Sequence, residues 1–175
     1  MLLTGKQIIE DKIVSDCIDN DKQEQMSGVD LTVNKIEKFI GPGTIDFDNA
    51  ARMLPTTELV TDFSADPSKL LSEGNYLITF NETVSIPDDC MGFAVPRSTL
   101  LRMGATMETA FWDAGYTGKS KALLVVYNTH GILVHENAKL AQIAFIKIGK
   151  KAEKLYRGAY QNEGELLSKA IFRKD

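Results

Sequence analysis

The sequence predicts a mainly β protein, a sandwich or barrel preceded by one short helix. Three observations predict it. Six segments carry the alternation and β-branched content of strands, turn-forming clusters separate them, and helical spacing fades after the first 14 residues. In chain order, residues 5–14 read as the helix, with Ile8, Ile9 and Ile13 at helical spacing. The strands are "VDLTVNKIEKFI" (29–40), "NYLITFNETVSI" (75–86), "CMGFAV" (90–95), "KALLVVYN" (121–128), "GILVH" (131–135) and "KLAQIAFIKI" (139–148). Between them lie the turn clusters "GPGT" (41–44), "SEGN" (72–75), "IPDD" (86–89) and "DAGYTG" (113–118). "PRSTLLRMG" (96–104) departs from this pattern. It reads as a strand exit, then about one and a half helical turns closed by Gly104, with Ser98 as N-cap. The 175 residues fit a single domain, 1–175, with a mobile C-terminal tail from about residue 156.

Composition narrows the function. A formal net charge of −4 gives no basic field over the molecule, which argues against nucleic acid as a partner. A small polyanion held by a few local cations stays open. No run of about 18 apolar residues occurs, so no membrane span is expected. The N-terminus lacks a signal-peptide core, and the two cysteines, Cys17 and Cys90, read as reduced thiols of a cytoplasmic protein.

Four stretches carry candidate chemistry. In "VPRSTLLR", a strand delivers Arg97, Ser98 and Thr99 onto a helical turn whose free N–H groups favour an anion; Arg102 lies one turn on. A capped helix with solvated arginines is the plainer reading. Gln142 is the one polar side chain between Leu140 and Ile146, so a buried amide there needs partners. Asp30 in "SGVDLTV" and Asp113 in "WDAGYTG" each read as turn chemistry or as a functional acid. Templates for zinc, for a nucleophilic serine and for a P-loop are absent. Whatever chemistry exists uses carboxylate, arginine and backbone.

In this order, "SGVDLTV", "PRSTLLR", "WDAGYTG" and "AKLAQIAF" resemble the four ordered motifs of the dUTPase and dCTP deaminase superfamily, and "MLLTGKQII" resembles the N-terminal helix of its deaminase branch. The resemblance implies a distorted jelly roll of β-clip type that forms a homotrimer with shared active sites. It implies that Arg97, Ser98, Thr99, Arg102 and Gln142 hold a triphosphate, and that residues from Thr109 and Ala110 to Asp113 line a pyrimidine pocket. Tyr116 would pack on the deoxyribose, and Tyr156 and Gln161 belong to a segment closing over the nucleotide. Asp30 would place the Mg²⁺-bound triphosphate through water.

Two departures matter. Deaminases of this superfamily carry a glutamate in the strand after the third motif, three residues before an asparagine. Counting back from Asn128 puts Val125 there, "KALLVVYN" holds no carboxylate, and Glu108 precedes the turn. The tail lacks the glycine-rich fifth motif of trimeric dUTPases, and Ala159 stands where the deaminase branch often has lysine. Deamination without zinc needs a carboxylate to shuttle protons at the ring, whereas hydrolysis at an α-phosphate needs one base to activate water. The expected activity is therefore a dUTP diphosphatase with Asp113 as base. The alternatives are dCTP deamination and a non-catalytic nucleotide-binding relative.

Overall fold

A computed structural model of the chain describes residues 1–164. The elements run α1 (Gly5–Glu10), β1 (Val14–Ser15), α2 (Asn20–Gln23), β2 (Glu24–Gln25), β3 (Gly28–Phe39), β4 (Thr57–Thr61), β5 (Ser68–Leu71), β6 (Gly74–Ser85), β7 (Cys90–Pro96), α3 (Ser98–Arg102), β8 (Ala105–Glu108), β9 (Thr117–Val126), β10 (Ile132–His135) and β11 (Lys139–Lys147). Nine strands join in one sheet whose main path is β7-β11-β3-β6-β9-β8; β1 adds to β6, and β2 and β4 add to β3. The remaining pair, β5 and β10, forms a separate two-stranded ribbon.

Helix α1 is shorter than the 5–14 expected. Thr4 closes a capping box with Gln7, and the chain leaves the helix at Asp11, with Lys12 in a left-handed conformation (φ 54°). Ile8 still reaches the core, and Ile13 enters it from beyond the helix.

Strand β3 explains most of the architecture. Its first six residues are all buried, because the strand lies between β11 and β6 and is covered by α2 and β2. The two-residue period sorts them. Val29, Leu31 and Val33 join Phe80, Ile143 and Phe145 in the apolar core, while Asp30 and Thr32 point the other way into a buried polar layer. There Glu82 accepts from Thr32 N (3.0 Å), Thr32 Oγ1 (2.6 Å) and Gln23 Nε2 (2.7 Å), and the same Gln23 amide donates to the Asp30 carbonyl (2.8 Å). Burial pushes the Glu82 carboxyl above the usual range, against the pull of these donors.

Strand β9 alternates strictly. Gly118, Ser120, Ala122, Leu124 and Val126 face inward, while Lys119, Lys121, Leu123 and Val125 lie half-buried on the outer face.

Candidate active site

The four motif segments form two groups of side chains. The first group surrounds Asp30. Gln142 on β11 is the direct cross-strand partner of Asp30 on β3, and on its other side it faces Val95 of β7. Directly opposed residues share a face, so the Gln142 amide lies beside the Asp30 carboxylate. Gly28 makes room for it: a Cβ there would stand 3.0 Å from the Gln142 amide nitrogen and 2.3 Å from the Ile143 carbonyl. Leaving β7, the Arg97 N–H donates to the Leu140 carbonyl (3.0 Å), which turns the side chain back over the sheet. Arg97 Nη1 then donates to Asp30 Oδ2. Gln25 Nε2 donates to the same oxygen (3.0 Å), and Lys139 Nζ lies 3.4 Å from it. Asp30 itself is fully buried, and its Oδ1 has no partner among the described residues. A buried carboxylate holding two cations at the surface is an anion-binding arrangement, because the cations keep donors to spare.

Helix α3 differs from expectation at its start. Arg97, in an extended conformation (φ −66°, ψ 144°), is the N-cap, with no side-chain capping bond; Ser98 is the first helical residue. The displacement by one follows from Arg97's own carbonyl, which accepts the first helical bonds from Leu100 (2.9 Å) and Leu101 (3.3 Å). Ser98 and Thr99 are exposed beside Arg97. Arg102 donates to the Ser98 carbonyl (2.9 Å), so part of its donor fork serves its own helix.

The second group lines a cavity of about 670 Å³. Trp112, the only tryptophan, is buried and donates to Ser120 Oγ (2.5 Å), which donates to the Tyr116 hydroxyl (3.4 Å). Tyr116 meets Tyr156 edge to face, with centroids 5.5 Å apart at 77°. Burial raises the Tyr116 phenol, which therefore stays a neutral donor. Asp113 lies exposed at the cavity's edge, Ala110 lines the wall, and Thr109 bonds the Ala94 carbonyl (3.3 Å) just outside.

The turn that presents Asp113 is closed by Tyr116 N–H donating to the Asp113 carbonyl (3.1 Å). It needs Gly115, whose φ is 85° and whose added Cβ would lie 2.8 Å from Leu155 Cβ. Residues 155–163 pack onto this turn. Tyr156 N–H donates to the Ala114 carbonyl (2.8 Å), and the Gln161 amide donates to the Gly115 carbonyl (3.0 Å) and accepts from Thr117 N–H (3.3 Å). Gln161 is thus spent on holding the tail segment against the hairpin. The part of the expected tail from 165 to 175 lies outside the described residues.

The two groups are well apart within one chain. Trp112 bridges to Gly92 and Thr109 bonds the Ala94 carbonyl, while Arg97 leaves the same segment five residues beyond Gly92, an extended backbone path of roughly 17 Å. Among the described residues, no cluster of three His, Cys, Asp or Glu side chains offers a metal cage.

Sequence reasoning passed over several members of these groups. Gln25 at Asp30, and Phe39, Arg52, Lys121 and Glu163 in the cavity, come from segments with no motif. Lys139 at Asp30 lies inside the fourth motif segment, where its place beside Ala138 gives no local sign of a partner across the sheet. Glu108 also changes place: the β8–β9 hairpin sets it opposite Leu123, on the same face as Val125 opposite Thr106. It lies outside the cavity lining that includes Asp113.

The chain thus combines a β-sheet fold with a cation-flanked buried carboxylate and an aromatic cavity. The chain belongs to the dCTP deaminase-like family, which its sequence matches over residues 3–148. It is 43% identical over 151 residues to a probable deoxyuridine 5′-triphosphate nucleotidohydrolase of Methanosarcina barkeri, covering 86% of this chain and 88% of that one. It is 39% identical over 141 residues to the deoxyuridine 5′-triphosphate nucleotidohydrolase of Methanocaldococcus jannaschii, covering 81% and 88%. The crystal structure of 2′-deoxycytidine 5′-triphosphate deaminase from Agrobacterium tumefaciens shares the fold, with a TM-score of 0.58 at 23% identity, over 82% of this chain and 47% of that one.

Proposed function

We propose that this protein hydrolyses dUTP to dUMP and diphosphate, with Asp113 activating the attacking water. The observation that carries the reading is the cavity's single unpaired carboxylate. Of the two acids lining it, Glu163 sits 3.6 Å from Lys121, while Asp113 forms no ion pair among the described residues. The names of the relatives support the same substrate.

In this mechanism the pyrimidine and deoxyribose occupy the aromatic cavity, against Ala110, Tyr116 and Tyr156. Tyr116 fills the space a ribose 2′-hydroxyl would need. Asp113 takes a proton from a water aimed at the α-phosphorus, the P–O bond to the leaving diphosphate breaks, and the diphosphate departs with its electron pair. Arg97, Ser98, Thr99, Arg102 and Gln142 hold the outer phosphates, with Arg97 held in place by Asp30. Mg²⁺ would be held chiefly by the triphosphate itself and would supply charge neutralisation there. Asp30 fits a water-mediated role toward it, because its buried Oδ1 is unpartnered, and Mg²⁺ sites commonly use one carboxylate plus phosphates.

The separation of the two groups supports a homotrimer in which one copy supplies the cavity and its neighbour the phosphate-binding group. Exposed apolar residues flanking each group, Phe111 (68%) beside the cavity and Val95 (50%) and Leu101 (55%) beside Arg97, support such contacts. The chain acts as a single domain, 1–175, whose tail from about 156 closes over the nucleotide. Two unpaired cysteines support a cytoplasmic setting.

Deamination of dCTP is the second reading, favoured by the family description alone. Val125 on β9 offers no proton shuttle where that reaction needs one. The test is incubation with dUTP, dCTP, dTTP and UTP, assayed for diphosphate and ammonia. Diphosphate from dUTP without ammonia from dCTP is expected; ammonia from dCTP reverses the assignment.

A further inference from the structure

We propose that Arg52 is a substrate-binding residue that holds the phosphate nearest Asp113, carried into the cavity by the arm between β3 and β4. The proposal rests on the hydrolase reading above. The arm, residues 40–56, is closed at its base by Ile40 N–H donating to the Thr56 carbonyl (3.0 Å). Midway, Thr44 and Met53 exchange two backbone bonds (2.8 and 3.0 Å). Acids at the tip serve the backbone: Asp46 accepts from Ala51 N–H (2.7 Å) and Asp48 from Ala50 N–H (3.0 Å). The arm is therefore a built hairpin, and it points Arg52 at the cavity wall formed by the tail segment. Its guanidinium lies 5.5 Å from the Tyr160 ring centroid.

Charge decides the role. The cavity is lined by two acids, Asp113 and Glu163, and by two cations, Lys121 and Arg52. Lys121 is shared between Glu163 (3.6 Å) and Glu37 (3.8 Å), whereas Arg52 forms no ion pair among the described residues. A phosphate brought within reach of Asp113 enters a space where that carboxylate repels it. Arg52 is the cation there with an uncommitted donor fork, and stacking on Tyr160 leaves its in-plane N–H groups free for phosphate oxygens.

The experiment compares the full-length chain with Arg52→Gln and Arg52→Lys, measuring calorimetric affinities for deoxyuridine, dUMP and a non-hydrolysable α,β-imido analogue of dUTP. Arg52→Gln is expected to weaken dUMP and the analogue about tenfold while leaving deoxyuridine unchanged. Arg52→Lys should recover most of the dUMP affinity. Equal losses for deoxyuridine and dUMP would reduce Arg52 to a wall of the pocket, and unchanged dUMP affinity would remove it from the site. Arg52-dependent dUMP binding in a chain that releases no diphosphate from dUTP would sink the hydrolase reading and keep Arg52. A wild-type chain that binds no phosphorylated ligand would overturn both.

Discussion

Asp113 is an exposed carboxylate singled out by position alone. It is set on a glycine-dependent turn at the edge of an aromatic cavity, where the other acid is already paired. Asp113→Asn keeps the shape and removes the base, so turnover of dUTP should fall about 10²–10⁴-fold with little change in nucleotide affinity. A parent-like rate would rule Asp113 out as base. Arg97→Ala leaves the buried Asp30 carboxylate with Gln25 and Lys139 alone and removes the phosphate contact proposed for Arg97, so both binding and thermal stability should drop. Loss of binding alone would mean that the Asp30 pair contributes nothing to the fold. Glu82 carries a pH signature. Its folded-state pKa is raised by burial, so its stabilising contribution is fully present below the unfolded carboxylate value, about 4.3, and is lost as pH rises through the folded value. Glu82→Gln does not titrate. The stability of the parent relative to that variant, measured by urea unfolding between pH 4 and 7, should therefore be greatest at the acid end and shrink toward neutrality. A difference that grows with pH would show that the three donors outweigh burial. Gln142 stands out in sequence as the one polar side chain of an apolar run, whereas Asp30 and Asp113 are singled out by the resemblance of their motifs, since each also fits ordinary turn chemistry. Arg52 and Glu82 could not be read from sequence, since their surroundings are made by residues distant in the chain.

At the scale of elements, the long strands were legible and the short ones were not. β3, β6 and β11 carry β-branched content over nine residues or more and lie within about two residues of the segments read from sequence. β9 instead begins at Thr117, four residues before the segment read, because its first residues, "TGKS", look like turn material until β6 pairs with them. β4 ("TELVT") and β5 ("SKLL") are short, largely exposed pieces whose pairing partners alone make them strands. β8 is hidden because "ATME" has no β-branched run; the hairpin with β9 imposes it. That hairpin also bears on deamination. Val125→Glu would put a carboxylate on the half-buried face of β9, near Glu108 across the hairpin, so desolvation and like charge both raise its pKa. The variant should lose about 1 kcal/mol or more of stability and release no ammonia from dCTP. Ammonia release by Val125→Glu would show that the single missing carboxylate is all that separates the two activities.

Across the whole molecule, one chain presents the Asp30–Arg97 group and the aromatic cavity at different points along β7, from Gly92 to Arg97 an extended backbone path of roughly 17 Å, with apolar surface beside each. Local sequence carried the motif residues of both groups, but not Gln25, Lys139, Arg52 or Glu163, which strand order and the returning tail segment bring to them. Light scattering should return a trimer, and a fully active monomer would be incompatible with a shared site. The most direct test mixes two inactive chains. Arg97→Ala retains the cavity and Asp113→Asn retains the phosphate-binding group, so co-refolded mixed trimers contain sites assembled from the intact half of each. For random assembly about one quarter of the sites are whole, and dUTP hydrolysis should recover to about a quarter of the parent rate. Mixed trimers that form but stay as inactive as either variant alone would contradict the account, because both halves of the site would then have to come from one chain.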